Sequence, residues 1–497
     1  MKEIISTLIL DFQESQLDTG IPRQLDLQSV RGKGLCRNES SIREGADALR
    51  QQGPMTRHTT GMSRKRNAVG GDAAASEPMS YFVTDPEAAV CIGVRRCGKS
   101  TYLFQQMERL LASGVSRQNL LYLNFFDDRL HGLKQGGIGA VTEAYYSLYP
   151  EKKNVETVYC FFDEIQDIPG WEPFVDRLLR TEKCEVYITG SSARMLSKDV
   201  ATQMRGRALS WELFPFSFRE FLLGRGLQVP LHPSTRQRLL VAKAFEEFWE
   251  VGGFPEVLNL DRDLRVKTHQ EYFHSVLFRD LVERHNIAHP RALKDLAHRL
   301  MDNIASLYSI NALTGYLKSL GHKVPKATVS DWLEWFEDAY FLFTTRIFDP
   351  SLSRRNANPK KVYCVDHALS ASVSSGIQAN SGHHLENLVF VALRRNHPDI
   401  HYYRTRNGRE VDFVVSDRGS GRRLIQACES MADSRTKKRE VDALTEAMNE
   451  LDLEDALIVT RREDEVLESE GKTIRVLPAW RFLLEESLPN STQEVSP

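Results

Sequence analysis

Apolar and polar positions divide the chain into blocks of different rhythm. Residues 1–18 carry apolar positions at helical spacing in "KEIISTLILDF" and predict a short amphipathic helix. A turn and an extended piece, "TGIPRQLDL", complete a lead-in over residues 1–30. Residues 31–80 show no period, contain no aromatic residue and are rich in Gly, Ser, Arg, Gln and Ala. Such a stretch buries too little apolar surface to offset its ordering entropy, so it is expected to be a disordered insertion. Over residues 81–230 short apolar runs alternate with helical patterns. "AAVCI", "NLLYLNFF", "TVYCFF", "CEVYIT" and "LSWELFPF" read as strands, with helices such as "TYLFQQMERLLAS" and "WEPFVDRLLRT" between them. This is the alternation of an α/β unit. Residues 231–290 read as a helical lid or linker, and 291–350 as a second helical block ending in "FLFTTRIF". Residues 351–490 are mixed: a helix at 383–395, strands "IHYYRTR", "EVDFVVS" and "RRLIQACE", a charged helix at 434–450, strands "DALIVT" and "TIRVLP", and a last helix.

Composition sharpens this picture little. At 497 residues the chain suggests about three domains. Its formal net charge of -2 does not announce a nucleic-acid binder, although a local basic patch can sit within a near-neutral total. Seven cysteines, an odd number with no CxxC pair, read as reduced thiols of a cytoplasmic protein and show no zinc-site spacing. The apolar stretch near Met1 is interrupted by Asp11 and is too short for a membrane span.

The chemistry begins at "AVCIGVRRCGKSTYLFQQ". The segment Gly93, Val94, Arg95, Arg96, Cys97, Gly98, Lys99 and Ser100 matches G-x-x-x-x-G-K-S, with an apolar strand before it and a helix after it. Successive backbone N–H groups of such a loop cradle phosphate oxygens, and the following helix adds its free N–H groups and dipole. Residues 93–101, through Thr101, are therefore the candidate nucleotide contacts. Lys99 is placed to reach the outer phosphates and the Ser100 hydroxyl to ligate Mg²⁺. In "VYCFFDEIQDIPGW" an apolar run ends at Asp163, a second candidate Mg²⁺ ligand. The adjacent Glu164 is the candidate acceptor of a proton from attacking water.

The strand "EVYIT" ends in Thr189, Gly190, Ser191 and Ser192; parallel pairing would bring these near Asp163, and Ser191 or Ser192 is the candidate for orienting water or sensing the terminal phosphate. Arg205 and Arg207 flank a glycine in "MRGRALSWEL". Either could stabilise charge on the transferring phosphoryl group, with Arg95 and Arg96 as competitors for that task. No N-K-x-D-like guanine reader follows, which favours ATP.

These elements resemble the bacterial and archaeal AAA-type ATPases that carry a carboxy-terminal domain of unknown function. "GVRRCGKS", "NFFDDRL", "FFDEIQDIPGW", "TGSSA", "RGRAL" and "FPFSFREFL" all match that family's pattern. The resemblance covers nearly the whole chain. It implies phosphate-loop roles for Lys99 and Ser100, the acidic-pair role for Asp163 and Glu164, a sensor role for Ser191 or Ser192, and an arginine role for Arg205 or Arg207. The chain departs from the family by interposing residues 31–80 between the lead-in and the first strand.

Two further modules follow. "LYSINALTGYLKSLGHKVPKATVSDWLEWFEDAYFLFTTRIFD" has the rhythm of a winged helix-turn-helix, with Lys323, Lys326, Thr328 and Ser330 at the start of the second helix. Its acids Asp331, Glu334, Glu337 and Asp338 would repel phosphates unless they face away, so DNA and a protein or intramolecular partner both stand. "GREVDFVV" and "RRLIQACES" have the pattern of a restriction-nuclease core, with Asp412 on one strand and Glu386 on a preceding helix. Gln426 and Cys428 occupy the places of its Glu and Lys, so a degenerate nuclease-like fold that does not cleave is expected. Arg404, Arg406, Arg409, Arg422 and Arg423 are candidates for a basic rim. The sum predicts a Mg²⁺-dependent ATPase switch or motor with nucleic acid, a protein or a second copy as partner. A DNA-binding regulator with little turnover and an ATP-dependent nuclease are its rivals.

Overall fold

The computed structural model describes residues 1–24, 88–192, 195, 204, 207–230, 233–375, 381–417 and 421–487. The insertion expected at 31–80, Cys36 and Arg205 lie outside the described residues.

The first layer is a five-stranded sheet in the order β2-β3-β4-β1-β5. It is built from β1 (Ala88–Ile92), β2 (Leu120–Asn124), β3 (Val158–Asp163), β4 (Cys184–Gly190) and β5 (Ala208–Glu212). All pairings are parallel. A parallel sheet covered on both faces wants continuous apolar strands rather than alternating ones. The five residues of β1 are all buried, as are five of the six of β3. Helices α2 (Lys99–Ala112), α3 (Ala140–Leu148) and α4 (Trp171–Thr181) connect the strands. The amino-terminal helix α1 (Lys2–Glu14) packs mainly on α3 and β2. Phe12 supplies a ring contact to Tyr122 with centroids 4.7 Å apart.

A helical stretch follows: α5 (Phe218–Gly224), α6 (Thr235–Val251) and α7 (Arg262–Ser275). α5 and α6 each begin with a capping box, on Ser217/Glu220 and Ser234/Gln237. α7 runs without a break into a π-helical stretch, Val276–Glu283. Then come α8 (Pro290–Met301), β6 (Leu307–Tyr308), α9 (Ile310–Ser319), α10 (Lys326–Asp338) and β7 (Leu342–Ile347).

The remaining elements are α11 (Leu352–Ala357), β8 (Lys360–Cys364), α12 (His367–Val373), α13 (Ser381–Arg394), β9 (Ile400–Arg404), β10 (Glu410–Asp417) and β11 (Gly421–Cys428). They are followed by α14 (Ser434–Leu451), β12 (Asp455–Thr460), β13 (Glu465–Ser469), β14 (Lys472–Pro478) and α15 (Ala479–Glu486). These strands join β6 and β7 in a nine-stranded mixed sheet, β13-β14-β12-β11-β10-β9-β7-β8-β6. The sheet therefore runs across residue 350: β7 pairs antiparallel with β8 and parallel with β9. The six cysteines among the described residues are free and buried. No described helix is long and apolar enough to cross a membrane.

Candidate nucleotide site

The loop after β1 is shaped by two glycines. A Cβ on Gly93 would lie 2.0 Å from the Leu213 carbonyl oxygen, so only glycine fits against the end of β5. Gly98 caps α2 in the left-handed region at φ 98, where other residues are strained. Val94 and Cys97 are buried, and Cys97 Sγ would be 3.1 Å from that same Gly93 Cβ. Arg23 of the lead-in, also buried, donates from Nη1 to the Cys97 carbonyl at 2.9 Å and pairs through Nε with Glu220 at 2.9 Å. Gln105 of α2 donates to the carbonyls of Thr19 and Ile21, tying the lead-in to the helix that carries Ser100 and Thr101.

Lys99 lies folded into its own loop. Its Nζ donates to the Gly93 and Val94 carbonyls at 3.1 and 3.2 Å and pairs with Glu164 Oε1 at 3.2 Å. Burial acts to lower its pKa, and Glu164 beside it reverses the sign, so the ammonium stays charged.

Asp163 ends β3 fully buried, and its carboxylate accepts from the Tyr122 hydroxyl at 3.0 Å and from the Thr189 hydroxyl. A hydrogen bond to Ser100 links it to the loop. Burial, then the neighbouring Glu164 charge, push its pKa up. Glu164 takes a left-handed backbone at φ 56, uncommon for a non-glycine residue, which turns its side chain back toward Lys99. Burial pushes the Glu164 carboxyl up, but Lys99, Gln166 and Arg95 outweigh it and hold the pKa below the usual value.

The polar end of β4 sits between the loop strand and the acidic pair, because β4 lies between β1 and β3 in the sheet. Thr189 Oγ1 accepts from the Glu164 N–H at 3.0 Å. Gln166 Nε2 donates to Glu164 Oε2 at 2.7 Å and reaches Ser191 Oγ at 3.5 Å. Ser191 and Ser192 are both buried, and Ser191 joins this hydrogen-bonded network through Gln166.

The candidate arginines separate. Arg95 forks onto Asp280 of the π-helical stretch at 3.0 and 3.1 Å, while exposed Arg96 pairs with Glu256 at 2.9 Å. Arg207 is engaged with Asp176 of α4 at 3.2 Å. Arg284 was not a candidate from sequence, yet its Nη2 lies 3.4 Å from Ser191 Oγ and 3.2 Å from Asp280. Arg23, Tyr122, Gln166 and Asp280 join the site in the same way. Gln166, inside "DEIQDIPGW", and Arg23, inside the lead-in "TGIPRQLDL", had a local signal; Tyr122, Asp280 and Arg284 come from segments without a motif of their own.

A polar-tipped strand inserted between the phosphate loop and the acidic pair defines the class: this is an AAA-type P-loop ATPase domain, and residues 85–222 match the AAA domain model. The chain belongs to the family of the uncharacterized protein MJ1544 of Methanocaldococcus jannaschii, which is 32% identical over 405 residues, 80% of this chain and 88% of that protein. An uncharacterized protein of Haemophilus influenzae is 29% identical over 328 residues, covering 66% and 78% of the two chains. Residues 242–381 and 381–482 match two domains of unknown function, DUF8612 and DUF4143. Among solved structures, the Walker-type ATPase PABY2304 of Pyrococcus abyssi is 16% identical, with 58% of this chain and 91% of that one covered and a TM-score of 0.36. The Aeropyrum pernix ORC1 protein in complex with DNA is 15% identical, with 58% and 86% covered and a TM-score of 0.28.

The carboxy-terminal sheet corrects one expectation. The place next to Asp412 does hold a fixed ammonium, but it comes from β8. Lys361 Nζ lies 2.8 Å from each of Glu386, Glu410 and Asp412. Gln426 accepts from the Asp412 N–H at 3.1 Å, so the two are neighbours as expected. Cys428 is buried and donates to the Ser430 carbonyl at 3.3 Å. The arginines expected to form a basic rim are largely matched by acids. Arg409 pairs with Asp442 and Glu446, Arg423 with Glu486 and Arg404 with Glu410, while Arg422 stacks over Phe348.

Proposed function

We propose that the chain hydrolyses ATP in a Mg²⁺-dependent reaction and that turnover switches the arrangement of its helical and carboxy-terminal modules. The observation that carries this reading is the ionised Glu164 held by Lys99 and Gln166 beside a buried Asp163 that is bonded to Ser100. The residues present fit the cofactor. A buried carboxylate bonded to a hydroxyl, Asp163 with Ser100, is an oxygen pair of the kind that holds Mg²⁺ together with phosphate oxygens. Ser100 and Asp163 would hold Mg²⁺, which neutralises charge on the phosphates. Lys99 leaves the loop carbonyls and Glu164 for the outer phosphates. Glu164, so released, accepts the proton of the attacking water while Gln166 and Ser191 orient it.

The finer domain reading is a proposal of the same kind: an ATPase core at 81–230, a lid at 231–290, a winged-helix-like module at 291–350 and a nuclease-like, non-cleaving domain at 351–490. Lys361 supports the absence of cleavage, because its ammonium already sits on Asp412 and Glu386, the acidic side chains that a metal would need. A protein or intramolecular partner is favoured over nucleic acid. The rim arginines are matched by acids, and exposed Asp331 and Glu334 share α10 with Lys326. Steady-state phosphate release by wild type and Lys99→Ala tests the ATPase reading. Loss of turnover and of nucleotide binding in Lys99→Ala is expected; equal hydrolysis by the two proteins would overturn it.

A further inference from the structure

The π-helical stretch Val276–Glu283 carries charge into the nucleotide site. Asp280, with a side chain only 2% exposed, accepts two hydrogen bonds from Arg95 of the phosphate loop. Its Oδ1 also accepts from Arg284 Nη2 at 3.2 Å. One carboxylate thus serves two guanidinium groups, and the trio keeps a net positive charge. The pairing is incomplete. Among the described residues, buried Arg284 Nη1 has no hydrogen-bond partner, and neither has Gln166 Oε1 across Ser191 from it. A buried guanidinium nitrogen without an acceptor is costly and calls for an explanation in a bound ligand or a second state. The groups around it, Ser191, Gln166 and through them Glu164 and Lys99, are those that the proposed reaction places about the terminal phosphate.

We propose that Asp280 is an internal stand-in for the terminal phosphate. It holds Arg95 and Arg284 until a nucleoside triphosphate arrives, and the third phosphate then takes over one or both guanidinium groups. The exchange suits the chemistry: guanidinium forks bind carboxylate and phosphate oxygens with the same planar geometry, and the phosphate carries more charge. A diphosphate leaves the Asp280 pairings intact. Because Asp280 and Arg284 lie in and just after the π-helical stretch that continues α7, and Arg95 lies in the loop, the exchange reports the third phosphate to the helical module. This inference rests on the ATP reading above.

The test uses the full-length chain and compares the affinity for a non-hydrolysable ATP analogue with that for ADP, both with Mg²⁺. Asp280→Asn removes the competing charge, so triphosphate affinity should rise several-fold while ADP affinity stays put. Arg284→Ala should weaken the triphosphate about ten-fold or more and leave ADP within about two-fold, as expected for loss of one charged phosphate contact. Arg284→Lys, which keeps the charge in case the alanine variant misfolds, should fall between wild type and alanine. Equal changes for the two nucleotides, or weaker binding of both in Asp280→Asn, would overturn the proposal and leave Asp280 a packing residue. Failure of the underlying reading looks different: the wild-type chain, like Lys99→Ala, would bind neither nucleotide.

Discussion

Asp163 and Glu164 are consecutive carboxylates whose pKa values are driven in opposite directions. Asp163 is buried at a strand end and pushed up, while Glu164 faces Lys99 and is held down. The contrast is compatible with the proposed division of roles, Glu164 ionised and available to water and Asp163 fixed at the strand end beside Ser100. A second buried carboxylate behaves differently again. Burial and the Asp412 charge raise the Glu386 pKa to about 8, against the pull of Lys361. Between about 4.5 and about 8 the folded chain therefore keeps a proton that the unfolded chain has released. The stability that this group contributes is fully present below that window and is lost as pH rises through it. Glu386→Gln should flatten this part of the profile, measured as urea midpoint against pH. An unchanged slope in the variant would assign the pH dependence to other groups.

At the scale of elements, the join between β1 and β5 sets the loop. The Leu213 N–H donates to the Ile92 carbonyl, and the Leu213 carbonyl faces Gly93 so closely that no side chain fits. Gly93→Ala should displace the loop, abolish measurable nucleotide binding and cost about 1–3 kcal/mol, the usual range for overpacking. Nucleotide binding within two-fold of wild type, roughly 0.4 kcal/mol, would show that the loop tolerates the shift.

Much of this layer was legible in the sequence, because parallel strands buried on both faces are continuous apolar runs and the phosphate loop is a local motif. "AAVCI", "TVYCFF" and "CEVYIT" fall on β1, β3 and β4. β13 was missed. It pairs with β14 through a two-residue turn, Glu470–Gly471, with both φ angles positive, and its alternating "EVLES" pattern exposes Val466 and buries little. The π-helical stretch and the Lys361 cluster had no local signal. Asp280 meets Arg95 across 185 residues, and Lys361 meets Asp412 across 51. Such pairings arise from tertiary placement alone.

Across the whole molecule the ATPase sheet is tied to the carboxy-terminal module at one end of β5. Glu212 accepts from Arg394 of α13 at 2.5 and 2.7 Å and from the Tyr340 hydroxyl at 2.7 Å. Arg395 reaches the Pro215 carbonyl at 2.5 Å. A displacement of the loop strand can therefore reach α13 through β5, which pairs with β1 along its whole length. Hydrogen exchange in α13 should slow when an ATP analogue binds, and Glu212→Ala should remove that response while leaving nucleotide affinity within about two-fold. An α13 response that persists in Glu212→Ala would route the coupling elsewhere.

The central claim, turnover by Glu164 acting on water, is tested most directly by Glu164→Gln. Single-turnover hydrolysis of radiolabelled ATP should be followed alongside equilibrium binding of the same nucleotide with Mg²⁺. The substitution keeps the shape and removes the base, so ATP should bind within a few-fold of wild type while hydrolysis slows by about 10²-fold or more. Hydrolysis at the wild-type rate, or a loss of binding as complete as the loss of turnover, would contradict the account.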